Sequence, residues 1–135
     1  MMKTIHTAGL VVVNNSRLLL AFSAKKRAWY LPGGKVDEGE TVAEALVREI
    51  REELSVALSP EQLEYFTHIS APAFGEPDMI MMEQDCFFCN EPIQPVASNE
   101  ILDLRYFSRK DYALEEHQVP GVLMAFDELE KRGLI

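Results

Sequence analysis

The segment from Thr41 to Leu54 constrains the fold most, because it has the pattern of an amphipathic helix with a marked beginning. Thr41 is followed three residues later by Glu44, which is typical of a capping box and predicts that the helix begins at Val42. Apolar residues recur at helical spacing: Ala43, Leu46, Val47, Ile50 and Leu54. We therefore expect the helix to bury this stripe against another layer of the fold.

Three glutamates lie beside the apolar stripe. Glu49 has Glu52 and Glu53 as neighbours at i+3 and i+4, so the three carboxylates share one side of the helix. Like charges at this spacing each destabilise a helix by about 0.2–0.5 kcal/mol. The carboxylates are about a third of a turn from the centre of the stripe, at the rim of the core. A hard cation such as Mg²⁺ would turn the repulsion into a binding site.

Apolar and β-branched runs predict strands on both sides of this helix. Residues 7–13 and 17–22 flank the turn Asn14-Asn15-Ser16 and predict a hairpin. Further strands are expected at 29–31, 63–69, 80–88 and 101–107, and a closing helix at 120–132. The order predicts one α+β domain over residues 1–135, with a mixed sheet and helices on its faces.

The net charge of −9 excludes a nucleic-acid polymer as a partner, because the chain has no stripe of lysine and arginine. A small phosphorylated ligand remains compatible, since a bound cation can bridge acidic residues to an anion. No apolar run approaches the roughly 20 residues of a membrane span, and residues 8–13 are too short for a signal peptide. We expect a cytoplasmic protein without a membrane partner.

The stretch from Gly34 to Val56 resembles the Nudix box, whose pattern is G-x5-E-x7-R-E-U-x-E-E-x-G-U with U an aliphatic residue. The matching positions are Gly34, Glu40, Arg48, Glu49, Ile50, Glu52, Glu53 and Val56. Ser55 replaces the second glycine of the pattern, and we expect local backbone strain there rather than lost activity. The preceding W-Y-L-P-G-G-K-V is similar to the MutT-like branch of the family.

The resemblance implies an α/β/α sandwich in which the box forms a loop, a helix and a loop. It also implies a divalent metal site, with Mg²⁺ as cofactor and Mn²⁺ as a possible substitute. The implied ligands are Glu49, Glu52, Glu53 and the backbone carbonyl of Gly33. Gly34 would let the backbone turn sharply next to the ion.

Further roles follow from the same resemblance. Arg48 would orient the carboxylates, and Glu40 would brace the loop against the helix or bind metal through water. The implied reaction is metal-assisted attack of water on a diphosphate, with Glu52, Glu53 and Arg48 in the catalytic machinery. The general base is left open: Glu53 is the first candidate within the box, Glu100 is the best candidate outside it, and Glu83 is a weaker one.

Substrate contacts are expected from residues near the glycines and from the loop that follows the helix region. Lys35 is placed to touch phosphate, and Phe74 lies on the proline-containing loop 70–78 that is a candidate substrate wall. Trp29 is a candidate substrate contact, and the alternative is core or hairpin packing, which is more typical of both Trp29 and Tyr30 than base stacking. Residues 25–27 are basic and are expected to form a solvated loop, with steering of phosphates as the alternative.

The expected partner is a small nucleotide, hydrolysed from a nucleoside triphosphate to a monophosphate and pyrophosphate. An ADP-ribose or nucleotide-sugar pyrophosphatase is the alternative, because ADP-ribose-type members are similar in having a proline near the position of Pro72. A nucleotide-sensing module without turnover is a third possibility. Both a monomer and a homodimer are compatible with the sequence.

Overall fold

Two four-stranded sheets form the centre of the fold in a computed structural model that describes residues 3–76 and 80–135. The strands are β1 (Lys3–Val11), β2 (Val13–Asn14), β3 (Arg17–Ser23), β4 (Ala28–Tyr30), β5 (Gly33–Lys35), β6 (Leu63–Pro72), β7 (Ile80–Cys89) and β8 (Ile101–Phe107). The helices are α1 (Val42–Leu54), α2 (Arg109–Tyr112) and α3 (Pro120–Lys131), with a 3-10 turn at Pro60–Gln62. Pro77 and Asp78 of the predicted substrate wall lie outside the described residues.

The first sheet is mixed, as predicted, with the strand order β5-β1-β7-β6. The central strand β1 runs parallel to β7 and antiparallel to β5, while β6 runs antiparallel to β7 at the edge. The register places Thr7 opposite Gln84 on one side and opposite Lys35 on the other. It also places Gly9 opposite Gly33. This sheet therefore brings Gly33 and Gly34, called the glycine loop below, next to the middle of β1 and β7.

The predicted hairpin of residues 7–13 and 17–22 is wrong over most of its length. Only β2 pairs with β3 around Asn15 and Ser16, both with positive φ, whereas β1 pairs within the other sheet. The reason is visible in the burial of β1, where every residue from Thr7 to Val11 is buried. A continuous buried run is typical of a central strand with parallel pairing rather than of one arm of a half-exposed hairpin.

Helix α1 confirms both the predicted beginning and the predicted end. The Thr41 hydroxyl accepts from the Glu44 N–H at 3.1 Å, and Glu44 Oε1 accepts from the Thr41 N–H at 2.8 Å. The buried side chains of α1 are Ala45, Leu46, Ile50 and Leu54. They pack with Ala8 and Leu10 of β1 and with Leu19 of β3, so one layer of the core lies between α1 and both sheets.

The opposite face of the sheets carries α2 and α3. Alternate residues of the same strands, such as Val11 and Leu18, pack there with Phe126 and Tyr112. The Tyr112 hydroxyl donates to the Trp29 carbonyl at 3.2 Å and accepts from the Val119 N–H at 2.8 Å. The molecule is thus the α/β/α sandwich expected from the sequence. Among the residues described here, no helix has the length and apolarity needed to cross a bilayer.

Candidate functional site

Arg48 is the centre of a network that ties the loop before α1 to the helix. Its guanidinium donates to both carboxylate oxygens of Glu40, at 2.8 and 3.0 Å, and to Glu49 Oε1 at 2.9 Å. It also donates to the Lys35 carbonyl at 3.1 Å. The Arg48 charge and hydrogen bonds lower the pKa of Glu40 to about 2, and Glu40 in turn raises the pKa of Arg48. Of the two roles considered for Glu40, its contacts favour the brace.

The two glycines of the loop are needed because neighbouring atoms leave no room for a side chain. Gly33 has φ +143°, and a Cβ there would lie 2.0 Å from the Ala8 carbonyl oxygen. A Cβ on Gly34 would lie 2.6 Å from the carboxylate carbon of Glu49. The loop can therefore pass between β1 and α1 only without side chains, which holds its backbone against the carboxylates.

Glu53 is the most perturbed acidic group of the site. Burial is the largest cause, and the charges of Glu49 and Glu100 add to it, so the pKa of Glu53 rises to about 8. The Gly33 N–H donates to Glu53 Oε1 at 3.0 Å and opposes this rise in part. Burial also raises the pKa of Glu49. A site that disfavours two carboxylate charges in this way would favour a cation.

Of the four predicted metal ligands, the structure brings Gly33, Glu49 and Glu53 together at one cleft. The Glu52 side chain is half exposed, does not line that cleft and faces Arg48 at 3.7 Å. Within residues 3–76 and 80–135, no group of three or more acidic, histidine or cysteine side chains is arranged to hold a metal ion. The donors that do meet are all oxygens, which fits the chemistry of Mg²⁺ or Mn²⁺.

Glu100 reaches the same cleft because the loop before it closes the end of α1. The Val96 and Ser98 N–H groups donate to the Leu54 and Glu53 carbonyls at 2.8 and 3.0 Å. The Asn99 side chain donates to the Glu52 carbonyl at 2.8 Å. These carbonyls have no partner within the helix itself. The loop thus satisfies the end of α1 and places Glu100, the predicted candidate base outside the box, in the same cleft as Glu53.

The cleft has a volume of about 450 Å³ and joins the carboxylates to cationic and aromatic walls. Of the predicted substrate contacts, Lys35 and Phe74 line it. Tyr30 was not predicted, yet it lines the cleft and contacts Phe74, with ring centroids 6.3 Å apart. Lys25, exposed as expected for a solvated loop, and the partly buried Lys26 also line the cleft. A larger groove of about 650 Å³, lined by residues 11–14 and 88–93, contains no predicted site residue.

Trp29 and Glu83 also lie away from the cleft. Trp29 is only 5% exposed, packs in the core and donates to Glu115 Oε1 at 3.0 Å, so its predicted contact with substrate is wrong. Its large ring is accommodated by burial, as the alternative reading expected. Glu83 accepts from the Ser70 hydroxyl at 2.6 Å and contacts His68 on an exposed part of β6 and β7, which does not fit a general base.

Comparisons with known proteins agree with this geometry. Nucleoside triphosphatase NudI from Enterobacter sp. (strain 638) is 32% identical over 111 residues, covering 74% of this chain and 79% of that protein. The human 8-oxo-dGDP phosphatase NUDT18 is 45% identical over 49 residues, which are 34% of this chain but only 15% of the human protein. The crystal structure of a MutT NUDIX hydrolase from Burkholderia pseudomallei shares the fold, with a TM-score of 0.76 and 22% identity over 94% of this chain and 98% of that one.

The family model of the NUDIX domain matches residues 3–125, which includes the glycine loop, α1, the cleft and the first half of α3. The chain belongs to the NUDIX family of pyrophosphohydrolases.

Proposed function

We propose that this chain hydrolyses the diphosphate linkage of a nucleoside triphosphate or a related nucleotide, releasing a monophosphate and pyrophosphate. The observation that carries the proposal is the cleft itself, where Glu49, Glu53 and Glu100 form one end. The lysines and the Tyr30–Phe74 pair form other walls. Acidic groups for a metal, cations for phosphates and aromatic rings for a base are the parts that a nucleotide pyrophosphohydrolase needs.

Enzymes of this family generally need a divalent metal. Glu49, Glu53 and the Gly33 carbonyl would hold Mg²⁺ here, with Mn²⁺ as a substitute and Glu52 as the remaining predicted ligand. When bound, the cation neutralises phosphate oxygens and lowers the pKa of a coordinated water. Arg48 fixes the Glu49 carboxylate by a hydrogen bond of 2.9 Å, so its part is to hold a ligand in place.

The general base is proposed to be Glu53, with Glu100 as the second candidate. Both carboxylates line the cleft, and the charge of Glu100 is one cause of the raised pKa of Glu53. A base must be deprotonated, so Glu53 needs a cation nearby to act at neutral pH. The replacement Glu100→Gln at saturating Mg²⁺ distinguishes the two, because Glu100 is not a proposed metal ligand: kcat should stay near normal if Glu53 is the base and should be lost if Glu100 is the base.

Phosphate contacts are assigned to the cationic side of the cleft. Lys35 extends from the strand that also carries Gly33, and Lys25 and Lys26 come from the turn after β3. Lys26 forms an ion pair with Glu76 at 3.0 Å, so it would exchange one anion for another when a phosphate binds. Phe74 and Tyr30 are assigned to the base, because their rings and the Tyr30 hydroxyl bond to the Phe74 carbonyl at 3.3 Å form one firm wall.

An ADP-ribose or nucleotide-sugar pyrophosphatase is the alternative, supported by the presence of Pro72 in the lining of the cleft. A panel of nucleoside triphosphates, deoxynucleotides, ADP-ribose and nucleotide sugars with Mg²⁺ decides between them by the products released. Running it in ¹⁸O-labelled water also reports which phosphorus is attacked. Binding without turnover of any member would favour the sensing module and overturn the enzymatic proposal.

A further inference from the structure

Two polar side chains on the floor of the cleft have hydrogen-bonding capacity that the described protein does not use. Thr7 of β1 and Gln84 of β7 lie opposite each other, and each is 8% exposed. Thr7 Oγ1 is buried and has no hydrogen-bond partner among the residues that the structure describes. Within the described residues, the Gln84 amide has one hydrogen-bond contact, a weak one in which its Oε1 accepts from the Cys86 thiol at 3.7 Å. A buried polar group without a hydrogen-bond partner destabilises the fold, because it has lost its contacts with water. Such a group is favoured where a ligand supplies the missing partner.

The surroundings of Gln84 make it the polar feature of an apolar surface. Ile5 and Met82, the neighbours of this pair along β1 and β7, also line the cleft. A Cβ on Gly9 would lie 3.0 Å from the Gln84 amide carbon, so the amide lies over Gly9 and needs the space that glycine leaves. Gln84 lines the same cleft as Tyr30 and Phe74, the residues assigned to the base.

We propose that Gln84 reads the nucleobase of the substrate and selects a 6-aminopurine ring. A glutamine amide presents a donor and an acceptor side by side, and we place it at the major-groove edge of the ring, where adenine has the N6 amino donor and the N7 acceptor. Guanine and hypoxanthine present two acceptors at the same edge, a pattern that arginine or lysine reads better. This inference rests on the proposed function, since it assigns the specificity of the same cleft.

The test compares ATP with ITP, which differ at the 6-position of the purine. A bidentate contact discriminates between bases by about tenfold to a hundredfold, so the unmodified protein should prefer ATP by that ratio in kcat/KM. Gln84→Met keeps the length of the side chain and removes the amide, and the ATP to ITP ratio should fall to about one. Gln94→Met, on an exposed loop outside the cleft, is the matched control and should leave the ratio unchanged.

A second variant keeps the test valid if Gln84→Met unfolds. Gly9→Ala leaves the amide present but places a methyl group 3.0 Å from its carbon, so the amide must shift and the ratio should fall in part. An ATP to ITP ratio that remains as in the unmodified protein in every variant that folds would overturn the assignment of Gln84. The same holds if both nucleotides are weakened equally, because that indicates packing rather than base reading.

Binding separates this inference from the proposed hydrolysis. Calorimetric titration of ATP and ITP into the Glu53→Gln protein measures base selection without turnover. Selective binding that depends on Gln84, together with no hydrolysis by the unmodified protein, would reject the proposed function and keep the inference. Hydrolysis with no preference between the two nucleotides would reject the inference and keep the function.

Discussion

The middle and the C-terminal end of α1 differ in how fully their charged groups are paired. Near the middle of the helix, Arg48 is bound by Glu40, Glu49 and the Lys35 carbonyl, and Glu40 also accepts from the Asp37 N–H at 2.9 Å. Near the end of the helix, Glu53 is partly buried, with a single backbone donor and the carboxylates of three other glutamates acting on its charge. The first arrangement stabilises the negative charge of its carboxylate, and the second opposes it.

This difference separates the residues that position the site from the residue that is placed to react. A carboxylate with a lowered pKa and a bidentate arginine, such as Glu40, stays charged and fixed over the whole physiological range. A partly buried carboxylate with a raised pKa, such as Glu53, changes its charge when a cation or a proton arrives. The box glutamates are therefore not equivalent, although the sequence writes them with the same letter.

Replacement of Glu53, the proposed reactive carboxylate, should have the largest effect on activity. Glu53→Gln keeps the shape of the side chain and its hydrogen bond to Gly33 but removes the charge, and we expect kcat to fall by about a thousandfold or more. Product release from the best nucleotide at saturating Mg²⁺ measures this. A melting temperature like that of the unmodified protein shows that the fold is retained, and near-normal activity would contradict the assigned role.

Replacement of Arg48, which positions Glu40 and Glu49, should have an intermediate effect. Arg48→Lys keeps the positive charge but loses the two-pronged contact with Glu40, so Glu49 is held less firmly and Mg²⁺ affinity should fall by about tenfold to a hundredfold. A titration of activity against Mg²⁺ concentration gives the change. Arg51→Lys, exposed on the same helix, is the control and should behave like the unmodified protein.

The pH dependence of stability should report the raised pKa of Glu53 without any substrate. The pKa of Glu53 is raised from 4.5 to about 8, so its protonated form stabilises the metal-free fold fully below pH 4.5. This contribution is lost as the pH rises through about 8. Thermal unfolding in EDTA between these values should show a declining melting temperature. The decline should become shallower in Glu53→Gln but not in Glu38→Gln, whose carboxylate is on an exposed loop.

The smallest effect is expected where α1 ends. Ser55 has φ 58° and ψ 32°, a left-handed conformation that glycine adopts without strain. Ser55→Gly should therefore stabilise the fold by about 1 kcal/mol in urea unfolding. Its kcat should stay close to the original value, because Ser55 does not line the cleft. A hundredfold gain in activity would show instead that this end of the helix limits catalysis.

Local patterns predicted what depends on neighbours in the sequence. The capping box at Thr41, the left-handed end at Ser55 and the apolar stripe of α1 are all decided within a few turns of chain. The pairing of β1 is not, because its apolar run indicates a buried strand without identifying the partner, β7, which lies beyond α1 in the chain.

The candidate site divides in the same way. Its motif residues are contiguous, so their spacing could be read directly from the sequence. Tyr30, Thr7 and Gln84 meet in the cleft only through the registers of separate strands, and no short pattern marks any of them. Trp29 and Tyr30 illustrate the limit, since adjacent strand residues point to opposite faces and only the register decides which one meets the cleft.

The parallel contact between β1 and β7 also has a consequence for how the chain folds. Ile5 pairs with Met82, so the central pair of the first sheet joins strands that are far apart in the chain, and α1 lies between them. Closing so long a loop is slow and entropically unfavourable, whereas the β3–β4 turn and α1 form from local contacts. The glycine loop and α1 should thus be assembled early, while the cleft floor, which needs β1 and β7 side by side, should be completed last.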